Sequence, residues 1–164
     1  MPGTIGQAFI AELDVEMPTT RRLLERVPGD KGAWKPHPKS FSMGHLAQLV
    51  ARMPGWLTTT MRQPVLDVRA GQPYSLEQTE TLLAEFDRHV KEAREVLAQA
   101  GDEVFMVPWS LKVGDRMLFT LPRLAVMRQN INHLVHHRGQ LSVYLRLLDV
   151  PLPSIYGPTA DEPW

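Results

Sequence analysis

Apolar residues recur at helical spacing in four stretches of this chain, and each stretch carries its own start or stop signal. The first repeats Ile5, Phe9, Leu13, Met17 and Leu24 toward Val27. Thr4 and Gln7 have the spacing of a reciprocal capping box at its start, and Pro28-Gly29 ends it. Pro18 removes a backbone donor inside the stretch, which predicts a kink. The second begins after Ser42 with Leu46, Leu49, Val50, Met53 and Leu57, and Pro54 predicts a bend or break within it. The third takes Ser75 and Gln78 as a capping pair, carries Leu76, Leu83, Phe86, Val90, Ala93 and Leu97, and offers Gly101 as a left-handed stop. The fourth runs from about Pro122 to about Leu148 along Leu124, Met127, Ile131, Leu134, Leu141, Leu145 and Leu148. These stripes predict one shared core that buries Leu83, Phe86, Val90, Leu134, Leu141 and Leu145.

The connections differ in character. Segment 28–41 holds Trp34, three prolines and two glycines and reads as a loop. Segment 62–74 is long enough to cross the molecule rather than turn straight back. Segment 104–121 alternates apolar and polar residues around Gly114-Asp115, the pattern of a short hairpin. The tail 149–164 contains four prolines and cannot stay helical. The fold class is therefore all-α, four main helices with a short hairpin-like segment before the last, in one domain over residues 1–164.

Composition narrows the function classes. Lysine plus arginine balances aspartate plus glutamate at 18 each in 164 residues, so no global field favours nucleic acid or an anionic membrane. Five arginines between Arg116 and Arg146 make the last helix basic, a solvated face or a holder for an anionic substrate. With no cysteine, a metal would have to be held by His, Asp or Glu, and a protein thiol nucleophile is excluded. Glu12 and Asp14 interrupt the place of a signal peptide, and no apolar run reaches membrane-spanning length. The expectation is a soluble cytoplasmic protein without membrane or nucleic-acid partners.

Three of the six histidines lie together: His133, His136 and His137. His133 and His137 are one helical turn apart and share a face with Val126, Asn130, Gln140 and Tyr144, whereas His136 points elsewhere. Two imidazoles at that spacing can hold one zinc or nickel ion, and they can equally be hydrogen-bonded structural groups. The pattern is not that of a metalloprotease, because no carboxylate lies between Asp115 and Asp149 to act as its base. Trp34, Trp56 and Trp109 read as packing aromatics, and His37 and His89 as solvated. Arg138 and Arg146 read as partners for carboxylates of neighbouring elements, and Ser40 and Ser42 as turn or cap residues.

The run from Asn132 through His133, His136, His137, Arg138, Gly139 and Gln140 to Leu141, followed by Tyr144-Leu145-Arg146, resembles the last helix of the DinB-like family, the damage-inducible, YfiT-related proteins. Trp34 to His37, Ser40 to Gly44, Pro54-Gly55-Trp56 and the tail from Pro153 to Pro158 agree with it. The resemblance implies a four-helix bundle in up-down-down-up order, commonly a homodimer. It also implies a divalent metal held by the histidine pair of the last helix and a third histidine on the second. That third ligand should fall at position 49, which is Leu49; His45 stands one turn earlier on nearly the same face and is its candidate replacement. The metal set is then His133, His137 and His45, with zinc or nickel as the ion. Three functions follow: a metal-dependent enzyme of hydrolase or thiol-transferase type acting on a small molecule, a metal-free and catalytically degenerate dimeric binding module, or an interaction protein.

Overall fold

The computed structural model describes residues 3–71, 73–75 and 78–163. Among them stand four long helices, α1 (Ile5–Leu24), α2 (Met43–Arg62), α3 (Thr79–Gln99) and α4 (Arg123–Arg146). A small sheet is built from β1 (Val65–Asp67), β2 (Pro108–Val113) and β3 (Arg116–Pro122). The Thr4–Gln7 capping box forms as its spacing implies, with both reciprocal hydrogen bonds present. Ser42 caps α2, its hydroxyl accepting from the His45 amide at 3.3 Å. Both α1 and α2 run through Pro18 and Pro54 without a break.

The second helix is the centre of the structure. It packs on α3 along one side and α4 along the other, while α1 lies mainly against α3. Most of its circumference is buried, including Gly44, Gln48, Pro54 and Gly55. The core joins Phe9, Leu13 and Leu24 with Met43, Leu46, Val50, Phe86, Leu97, Met127 and Leu141. Of the expected core residues, Phe86, Leu134, Leu141 and Leu145 are buried, while Leu83 and Val90 are only half-buried. The buried face of α3 is turned toward Leu82, Phe86, Ala93 and Leu97, with Leu83 and Val90 beside it. Leu124, placed in the apolar stripe, is exposed at the start of α4.

Three further departures have physical causes. The third helix begins at Thr79: the Ser75 amide donates to Gln48 Oε1 at 2.6 Å, which takes the donor that Gln78 would accept in a capping box. Leu76, in the expected stripe, lies outside the described residues. Gly101 is extended (φ −74°), and the next turn, Asp102–Met106, aims Asp102 at α1, whose Ile5 amide it caps at 2.8 Å. The left-handed stop occurs instead after α4, at Asp149 (φ 57°). Segment 62–74, expected as a plain crossing, contains β1, which pairs in parallel with β2 (Leu66 opposite Leu111). The hairpin β2–β3 turns at Gly114-Asp115, where Gly114 adopts φ +59°. Its amide donates to Asp67 at 3.1 Å and ties β1 to the turn. No helix among the described residues is long and apolar enough to cross a membrane.

Candidate functional site

Helical geometry stacks His133 and His137 one above the other on α4, and their Nε2 atoms meet at 2.8 Å. Gln140, nearly one turn further, accepts through Oε1 from His137 Nδ1 at 2.7 Å. That bond fixes the proton of His137 on Nδ1, leaves its Nε2 as the acceptor, and makes His133 the donor between the rings. His137 is buried and His133 exposed at the rim. Trp56 of α2 packs against the His133 ring at 5.5 Å, and the ring of His136 lies edge-on to His137 at 5.0 Å. Both imidazoles of the pair are held below the ordinary histidine value, first by loss of water and then by the neighbouring histidines. For His137 the Gln140 bond works the other way and offsets part of the effect.

His45 joins this neighbourhood from α2. Its ring is sandwiched between Phe41 at 4.1 Å and Tyr74 at 4.2 Å, and Phe41 in turn lies 6.4 Å from the His137 ring. Burial lowers its pKa, with the charge of His137 next and Lys35 after it. Leu49 is buried in the core and offers no donor atom. Among the described residues, no three His, Asp or Glu side chains converge closely enough to hold one ion. The donor chemistry fits a divalent ion at two positions, two neutral imidazoles whose Nε2 atoms lie 2.8 Å apart, once the proton between them moves to His133 Nδ1. Two zinc ligands at tetrahedral angles stand about 3.3 Å apart, so the pair must open by about half an ångström. A third nitrogen requires His45 to leave its aromatic stack.

Beside His133 lies a cavity of about 370 Å³ between α2, α4 and the sheet. Trp56, Trp109, Leu111, Phe119 and Val126 supply its apolar wall. A second hollow, about 590 Å³, lies across Trp56 and is lined by charged groups including Arg52, Asp67, Glu85 and Arg88. Trp56 and Trp109 therefore line cavities as well as pack, which their isolated positions in the sequence did not signal. His89, expected in solvent, packs its ring on Gly55 across the α2–α3 contact, and burial lowers its pKa. Arg138 and Arg146 do bridge carboxylates, Glu16 on α1 and Asp161 in the tail.

The DinB family profile matches residues 8–163. The chain belongs to the DinB family. A crystal structure of a DinB-like protein from Bacillus cereus superposes with a TM-score of 0.72 at 21% identity, covering 95% of this chain and 100% of that one. Another DinB-like protein, from Bacillus subtilis, gives 0.70 at 17% identity, over 90% of this chain and 96% of that one. At such identities these likenesses show the fold alone. No curated protein matches the sequence. The DinB resemblance carried by the last helix and the tail thus agrees with the match over nearly the whole chain.

Proposed function

We propose that this DinB protein is a metal-dependent enzyme in which His133 and His137, completed by His45, hold one zinc or nickel ion beside a small-molecule cavity. The observation that carries this reading is the Nε2 pair, oriented through Gln140 in the manner of a ligand whose second nitrogen is anchored. An ion held by imidazoles with an open position acidifies a water or thiol, which suits a hydrolase or a thiol transferase. The protein's own contribution is the orientation of His137 by Gln140, a neutral imidazole pair near neutral pH, and the apolar wall that excludes water next to His133. The reading includes a single domain whose helices run up-down-down-up, supported by the long connection between α2 and α3, and a homodimer.

Calorimetric titration of untagged, chelator-treated protein with zinc or nickel tests it. Uptake of about one ion per chain is expected, with little net proton release near neutral pH, because the proton between the rings moves to His133 Nδ1. His133→Ala and His137→Ala each abolish uptake, and His45→Ala weakens it at least about tenfold. Uptake that survives both of the first two substitutions sinks the reading.

A second reading, a metal-free binding protein using the same cleft, is favoured by Leu49 and by the stacking of His45. Under it Leu49→His creates tight metal binding that the unaltered chain lacks; under the first, the substitution adds little.

A further inference from the structure

We infer that the cavity between the sheet and the α2–α4 pair is a binding site for an uncharged aromatic molecule of about two fused rings. In naming the class of molecule presented to the histidines it rests on the reading above, although binding itself needs no metal.

No Lys, Arg, Asp or Glu is found among the described residues lining the cavity. A charged ligand would lose its hydration there without a partner, whereas an apolar one gains by leaving water. The hollow on the other side of Trp56 shows the contrast, since Arg52, Asp67, Glu85 and Arg88 reach into it. At about 370 Å³ the space is more than twice an engineered cavity of about 150 Å³ that accommodates benzene, and it falls in the range of small-molecule pockets. Trp56, Trp109 and Phe119 present aromatic surfaces from three different elements, suited to offset or edge contact with a planar ring.

The polar groups are few and most stand on the helix side, while on the sheet side the buried Trp109 Nε1 has no hydrogen-bond partner among the described residues. Asn130 donates to Thr60 Oγ1 at 3.2 Å, and Thr60 donates to the Trp56 carbonyl at 2.8 Å. The other end of the Asn130 amide makes no hydrogen bond to a described residue, so it can orient one polar substituent of the ligand on the His133 side. The sheet gains a purpose from this. Leu66, Trp109, Leu111 and Phe119 bring all three strands to the cavity and form the wall that faces the helices.

The test uses N-phenyl-1-naphthylamine, a neutral fluorophore, against the anionic anilinonaphthalenesulfonate, on the full chain with and without chelator. Saturable binding of about one neutral probe per chain is expected, with energy transfer from tryptophan and at least about tenfold preference over the anion. Chelator should leave it unchanged, so a failed metal site and a failed cavity are told apart. Leu111→Trp fills the space from the sheet and Val126→Phe from α4; whichever variant keeps the helical dichroism of the parent should lose at least about tenfold in affinity. Absence of saturable binding to the unaltered protein overturns the proposal. So does equal binding of the anion, or a folded filling variant that binds as before.

Discussion

Arg138 brings a guanidinium into the core, and every neighbour answers it. It bridges Glu16 at 2.7 Å, donates to Thr20 Oγ1 at 3.1 Å and to the Tyr156 hydroxyl at 2.6 Å. Tyr156 in turn donates to Glu16 at 2.9 Å, so the tail is fastened to α1 through a network that runs from the buried Arg138 out to an exposed tyrosine. Arg138→Ala leaves Glu16 nearly buried without its counter-charge, at an expected cost of about 3–5 kcal/mol in urea unfolding. A loss below about 1 kcal/mol would mean the network is not coupled to folding. The histidines set a second expectation. His45, His89, His133 and His137 all titrate below the ordinary value of about 6.5, chiefly through burial. Between the folded and unfolded values the unfolded chain binds more protons, so stability is complete above about pH 6.5 and is lost as pH falls through the folded values. Melting temperature followed from pH 8 to pH 5 in chelator should therefore decline on the acid side. His89→Phe should flatten the decline, and an unchanged slope would show that His89 is not among its sources.

At the level of elements, what could be read from the chain was what is local to it. The Thr4–Gln7 box, the turn at Gly114-Asp115 and the stripe of α1 each depend on residues a few positions apart, and each appears as expected. The start of α3 was misplaced because Ser75 is claimed by Gln48, a partner 27 residues away that no local pattern reveals. Strand β1 was missed because three residues carry no periodicity, and its pairing with β2 spans more than forty positions. The glycines separate close packing from mere tolerance. A Cβ at Gly6 would strike the Leu97 carbonyl, so α1 and α3 approach there backbone to backbone. Gly6→Ala should destabilise by about 1–3 kcal/mol through overpacking. Gly139→Ala meets nothing within 4 Å in the middle of α4 and should stabilise by about 0.5–1 kcal/mol. Chemical denaturation of the two variants side by side checks both signs; equal effects would refute the assigned α1–α3 contact.

For the molecule as a whole, helix spacing was enough to bring His133 and His137 together, but not to show what surrounds them. Phe41, Trp56 and Tyr74 arrive from a loop, a facing helix and a crossing segment, and the cavity wall depends on β1. Assembly is an expectation of the same scale. Val143 and Leu147 stand exposed one turn apart along α4, and Val15 is exposed on α1. An isologous dimer burying at least about 1,000 Å² in total should use such a face. Sedimentation should report a dimer at micromolar concentration, and Val143→Glu with Leu147→Glu should return monomers; an unaltered chain that sediments as a monomer contradicts this. Metal content of the purified protein decides whether His133, His137 and His45 hold an ion. Untagged protein is incubated with zinc, desalted and measured by elemental mass spectrometry beside His137→Ala and Leu49→His. About one ion per chain is expected in the unaltered protein, none in His137→Ala, and no gain in Leu49→His. Metal-free unaltered protein, with Leu49→His retaining the ion, would show that His45 does not complete the site.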